Sequence, residues 1–187
     1  PPNHMILDID HRFLISVCAS TIQGKTFDDV AMLEHVADWS LLLEKAAGHG
    51  VIPSTYQALN ELLDPNDPRL HLFRDEFLRN SAQSFTLAEE TASLWTEFES
   101  SGIRAIFYKG LTTSLQIYGS LLARPSGDID FLVPRDQVRQ AVKALADRGY
   151  SRILPDRLSD SQESALVRFC EGRQFRQRRK RISADLH

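Results

Sequence analysis

Arg124-Pro125-Ser126-Gly127-Asp128-Ile129-Asp130-Phe131-Leu132-Val133 decides how this chain is read. Ile129 to Val133 is apolar and β-prone except at Asp130, the pattern of a buried strand. Side chains two apart on a strand share a face, so Asp128 and Asp130 emerge together at its leading end. Two carboxylates held this way are costly unless a cation compensates them. A divalent metal is the usual compensation, and phosphoryl or nucleotidyl transfer the usual reason to hold one. In the plainer alternative, Asp128 caps the turn after Gly127 and Asp130 pairs with Arg124.

Eighteen residues upstream stands Tyr108-Lys109-Gly110-Leu111-Thr112-Thr113. A strand that ends in glycine and turns at once into a helix presents free backbone N–H groups to an anion. Glycine lets a phosphate approach the backbone, Lys109 adds a point charge, and Thr112 and Thr113 supply hydroxyls in the first helical turn. The same string is equally compatible with a plain turn. Gly119-Ser120 reads as the turn after that helix. Downstream, Ile182-Ser183-Ala184-Asp185-Leu186-His187 has the look of a strand. Beside Ile129–Val133 it would bring in Asp185 as a third carboxylate, a metal ligand or the acceptor of a hydroxyl proton. Pattern alone favours an exposed aspartate there.

The elements around these motifs divide near Gly102. Before it, helical periodicity runs over Asp8–Ala19, Phe27–His49 and Pro53–Leu63. A further helix begins at Pro68, capped by Asp67, and continues to Ser101 either unbroken or with a break near Ser81–Ser84. That helix reads as a packing spine, with Trp39 and Trp95 as core residues. After Gly102 come a strand at Ile103–Tyr108, a helix at Leu111–Tyr118, the Ile129–Val133 strand and a helix at Arg135–Arg148. A strand at Tyr150–Leu154, a helix at Ser159–Cys170 and a hairpin at Arg173–His187 turning near Arg179 complete the series. The alternation implies an α/β or α+β unit, with a helical region over 1–101 and the chemistry-bearing core over 102–187.

At 187 residues the chain suits one domain or two small ones, burying roughly 70% of its unfolded surface. A net charge of −3 argues against a general nucleic-acid binder, yet 173–181 (RQFRQRRKR) holds six basic groups in nine positions. Strand alternation splits these between two faces, so a solvated hairpin is preferred to a phosphate or RNA site. Cys18 and Cys170 have no metal-ligand spacing, and no apolar run approaches a membrane span. A reduced, cytoplasmic protein without a membrane partner is expected. Pro1 to His4 read as a remnant ahead of a native Met5. The six histidines show no ligand spacing, and His187 is expected only to support the site.

Taken together, Phe107-Tyr108-Lys109-Gly110, Tyr118, Arg124, Gly127-Asp128-Ile129-Asp130-Phe131-Leu132-Val133, Gly149-Tyr150 and Asp185-Leu186-His187 resemble the uncharacterised nucleotidyltransferase family of the polymerase-β-like superfamily. The helical half, including His49-Gly50-Val51-Ile52-Pro53, is similar too. The resemblance implies an α+β fold: a helical N-terminal half plus a polymerase-β-like mixed sheet flanked by helices. It implies Mg²⁺ (or Mn²⁺) on Asp128 and Asp130, with Asp185 as third ligand or base. Lys109, Gly110, Thr112 and Arg124 would meet an NTP, ATP foremost; Arg124 on a phosphate and Arg124 paired with a catalytic aspartate weigh equally. The wider superfamily more often has Gly-Ser at the phosphate turn, where this chain has Lys-Gly. Family members continue past the position of His187 with a tryptophan and a further domain, so an N-terminal portion of a longer protein is expected. The function implied is transfer of a nucleotidyl group to an unknown acceptor hydroxyl on a small molecule, peptide or protein, nucleic acid being less favoured. The alternatives are a kinase-like phosphotransferase and a catalytically inactive nucleotide-sensing or scaffold protein.

Overall fold

Buried leucines and phenylalanines at helical spacing build the first part of the chain. The computed structural model describes residues 8–153 and 172–187, with 159, 161, 162 and 165 between them. The helix expected over Ser159–Cys170 falls outside these residues except at four positions, as do Leu154 and the start around Met5. The chain divides into two compact units, 1–82 with 122–125 and 83–121 with 126–187.

In the first unit, Asp8 caps α1 (Ile9–Ile22) by accepting from the His11 N–H. The single helix expected over Phe27–His49 is two, α2 (Val30–Glu34) and α3 (Trp39–Gly48). The break follows from aspartates that are better used as caps than within a helix. Asp29 accepts from Met32 N, and Asp38 from Ser40 N and Leu41 N. Then comes α4 (Ile52–Leu62), with Pro53 in its first turn, where the missing N–H costs nothing. Phe13, Val17, Leu42, Ile52, Leu59 and Phe73 are fully buried in this unit's core. Each contributes about 1.5–3 kcal/mol of transfer free energy.

α5 (Pro68–Ser100) is one helix of 33 residues, unbroken at Ser81–Ser84. Its Ser81 hydroxyl donates back to the Phe77 carbonyl at 2.8 Å, so this polar side chain is satisfied within the helix. One expectation about its apolar side chains needs correction. Trp95 is 53% exposed, so it is not a core residue, and Phe85 is exposed as well. Trp95 instead stacks its ring on Phe107 at 5.8 Å.

The second unit is built on a five-stranded mixed sheet in the order β1-β2-β5-β4-β3. β1 (Ile106–Tyr108) is followed by α6 (Gly110–Tyr118) and then β2 (Asp128–Leu132). After a 3-10 turn at Arg135–Gln137 come α7 (Val138–Asp147) and β3 (Tyr150–Arg152). The hairpin β4 (Arg173–Gln177) and β5 (Ile182–Leu186) turns through Arg178–Arg181. β2 and β5 run parallel; every other neighbouring pair is antiparallel. The molecule is thus an α+β fold, helices flanking a mixed sheet, and among the described residues no helix is long and apolar enough to cross a membrane.

Alternation divides the sheet cleanly. Phe107, Ile129, Phe131, Phe175, Ala184 and Leu186 point into a core shared with Leu94 and Phe98 of α5 and with Ala141 and Leu145 of α7. The opposite face carries Ile106, Tyr108, Asp128, Asp130, Leu132, Ser183, Asp185, Gln174, Arg176 and Ser151, all of them partners in register. One face builds the fold and the other is left for chemistry.

Candidate functional site

β2 and β5 place the acids. In their parallel register Asp130 stands directly opposite Asp185, and Asp128 opposite Ser183. Because β5 alternates Ile182, Ala184 and Leu186 inward, Ser183 and Asp185 must face outward. His187 follows two positions after Asp185, and its N–H donates to the Phe131 carbonyl at 2.9 Å, so it continues the ladder. Its Nε2 lies 3.3 Å from Asp130 Oδ1. One potential ligand atom from each of Asp130, Asp185 and His187 falls within 4.8 Å of the others. Sequence reasoning gave His187 only a supporting role. The signal that would have raised it is its two-residue spacing from Asp185, which puts both on one face.

Asp128 stands beside that trio rather than in it. Its carboxyl is held above the usual carboxylate range, first by burial and then by the negative charges of Asp130 and Asp185. Lys109 relieves part of this crowding: its Nζ is 3.1 Å from Asp130 Oδ1, and its own pKa is raised chiefly by that contact. The ammonium also lies 4.8 Å from the centre of the Tyr108 ring, whose neighbour is the His187 ring at 5.7 Å. Lys109 is therefore a cation in direct contact with this acidic face. The alternative pairing of Asp130 with Arg124 is not what the structure has; Arg124 is exposed and in no ion pair among the described residues.

The turn that delivers Lys109 is strained. Lys109 has φ 59° and Gly110 φ 39°, both in the left-handed region. For a lysine this costs on the order of 1–2 kcal/mol. Gly110 is required on space as well as on φ, since a Cβ there would sit 2.4 Å from Ser126 Oγ. That hydroxyl donates to the Asp128 carbonyl at 3.1 Å, tying the α6 turn to the start of β2. No side chain caps α6, so the N–H groups of its first turn remain available to an anion. Thr112 is half-buried in that turn.

A family model described as "uncharacterised nucleotidyltransferase" matches residues 35–187. The chain belongs to that nucleotidyltransferase family. No curated protein and no solved structure matches it. The match takes in the whole sheet and both strands that carry the acids, so the nucleotidyltransferase assignment and the carboxylate face describe the same part of the chain. The donor set suits a hard divalent cation: carboxylate oxygens on adjacent strands, one imidazole, and an excess of negative charge that a single lysine balances only in part.

Proposed function

We propose that the protein is a divalent-metal-dependent nucleotidyltransferase that moves a nucleotidyl group from an NTP, ATP foremost, to an acceptor hydroxyl. The observation that carries this reading is the register of β2 on β5, which joins Asp130, Asp185 and His187 next to an uncapped helix N-terminus. Asp130, Asp185 and His187 would hold Mg²⁺ or Mn²⁺, with Asp128 completing the acidic surround. The metal, when bound, supplies charge neutralisation at the phosphate oxygens and at the attacking and leaving oxygens.

The chain's own groups do the rest. The first-turn N–H groups of α6 receive a phosphate of the nucleotide, and Lys109 exchanges Asp130 for phosphate oxygen once another cation satisfies the carboxylate. Gly110 lets that phosphate approach the backbone. Asp185, steadied by the Gln174 amide at 3.3 Å, takes the proton of the acceptor hydroxyl. The acceptor oxygen then bonds to the α-phosphorus, and the bond to pyrophosphate breaks. Catalysis of this kind is mostly positioning and electrostatics.

Thermal unfolding with Mn²⁺ or Mg²⁺, alone and with each NTP, tests the reading. A ligand at 100 times its Kd adds about 2.7 kcal/mol, and each kcal/mol moves Tm by roughly 2–4 °C at this size. A metal-dependent rise with one NTP is expected, absent in Asp130→Ala, while the metal-free Tm of the variant stays within a few degrees of wild type. An equal rise in the variant would sink the proposal. Mass analysis of a modified acceptor separates nucleotidyl from phosphoryl transfer.

A further inference from the structure

The carboxylate row continues across the sheet toward a basic cavity. Asp128 pairs with Ser183, Ser183 with Arg176, and Arg176 with Ser151, so these four side chains form one line on the exposed face. Neighbouring strands lie about 4.8 Å apart, which puts Ser151 roughly 14 Å from Asp128. Ser151 also lines a cavity of about 650 Å³ at the end of the sheet, between the α7–β3 and β4–β5 turns, together with Arg148, Gln177, Arg178 and Arg179. That volume lies in the range of small-ligand sites.

The fold consumes the charge of Arg148 in this cavity but not that of Arg178 and Arg179. Arg148 binds Glu90, yet its Nε–H is buried and has no hydrogen-bond partner. Arg178 and Arg179 of the cavity lining, and Arg176 opposite Ser151 on the sheet, are exposed and in no ion pair among the described residues. Asp147 also lines the cavity and offsets one positive charge, leaving a net cationic wall. The turn that carries the arginines is fixed rather than loose: Gln177, itself buried, accepts from Lys180 N at 2.8 Å. Alternation does not disperse these side chains, because Arg178 and Arg179 belong to the turn and only Arg176 is read by strand parity.

We infer that this cavity is an anion site that receives a phosphate carried by the acceptor, about 14 Å along the sheet face from the carboxylates. Guanidinium groups suit a phosphate by geometry as well as charge. The acceptor role rests on the nucleotidyl-transfer reading, whereas the anion site stands without it. A polymeric acceptor and a small phosphorylated one would present the same group.

The test uses the chain with EDTA present and two probes, a fluorescein-labelled ten-nucleotide single-stranded RNA and inorganic pyrophosphate. Binding is followed by anisotropy and by calorimetry in wild type, Arg178→Glu/Arg179→Glu and the neutral Arg178→Gln/Arg179→Gln. Expected is at least a tenfold loss of affinity in the charge-reversed protein, a smaller loss in the neutral one, and a wild-type affinity that falls steeply with salt. RNA binding displaced by pyrophosphate would identify a polymeric acceptor; pyrophosphate binding alone would identify a small one. Unchanged affinity in both variants, or no binding of either probe to wild type, overturns the inference. The metal–NTP thermal shift of the charge-reversed protein is read in parallel and is expected unchanged. A missing shift in wild type would count against nucleotidyl transfer and leave the arginine result standing.

Discussion

Two carboxylate clusters in the sheet-bearing unit follow opposite rules. Glu90, only 1% exposed, is surrounded by cations: Arg148 donates to it at 3.0 Å, Lys180 Nζ contacts its other oxygen, and the Tyr150 hydroxyl donates at 3.2 Å. Burial alone would push its carboxyl up, but the Lys180 and Arg148 contacts outweigh that and hold it below the usual range. Around Asp128, Asp130 and Asp185 the balance is reversed, with three acids facing one lysine and Asp128 pushed up. The first cluster ties α5, α7 and the β4–β5 turn together and is complete. The second is left short of positive charge, which is the condition of a site that expects a ligand.

Breaking the complete cluster gives the largest expected change in stability. Glu90→Gln leaves Arg148 and Lys180 without their counter-ion and is expected to cost about 2–3 kcal/mol in urea unfolding, toward the lower end because both cations reach solvent. The pH dependence has a definite sign. A carboxyl whose folded pKa is depressed adds stability that is fully present above its unfolded value, about 4.3, and is lost as pH falls through the folded one. Wild type should therefore lose stability on acidification along a limb that Glu90→Gln flattens, the two curves converging at low pH. A variant whose pH profile parallels wild type would remove Glu90 from this role.

Lys109→Ala sharpens the contrast. Removing a cation from a complete cluster destabilises, but removing the lysine from a deficient one should free Asp130 for metal. Mn²⁺ affinity, measured by calorimetry without nucleotide, is expected to rise about tenfold, or 1.4 kcal/mol, while the NTP-dependent thermal shift weakens. Weaker Mn²⁺ binding would show that Lys109 does not compete for the site. The smallest effect is expected of Asp128→Asn. A carboxyl with a raised folded pKa loses stability as pH rises through its titration, so the neutral amide should raise the metal-free Tm at pH 7 by roughly 1–3 °C. A fall in Tm would mean that the crowding is already compensated.

The line of the sheet was legible where local pattern decides it. Asp128-Ile129-Asp130-Phe131-Leu132 shows its alternation openly, and Arg173–His187 shows two strands with a polar turn. What the local pattern does not contain is which strands pair. The parallel register of Asp130 on Asp185 depends on contacts between distant segments, so only the family resemblance pointed to it. The break between α2 and α3 was hidden because the apolar period continues through Val36 while Asp38 takes over as a cap. Trp95 reads as core by its spacing, yet half of it is exposed beside Phe107, at the β1 edge of the sheet. The Lys109 contact of Asp130 was hidden for a similar reason. Arg124 is nearer in sequence, but the left-handed turn at Lys109 carries that lysine back onto β2.

The pairing of β2 with β5 also bears on how the molecule comes to exist. Asp130 and His187 are 57 positions apart, and parallel pairing of such distant segments is among the slower events in folding. Neither segment alone gathers the donor set, so a metal ion has little to hold on a chain whose sheet is still incomplete. The ion would discriminate between finished and unfinished molecules, and by mass action it would pull the population toward the finished ones. Metal availability in the surroundings would then govern how many chains are competent, apart from how fast each one turns over.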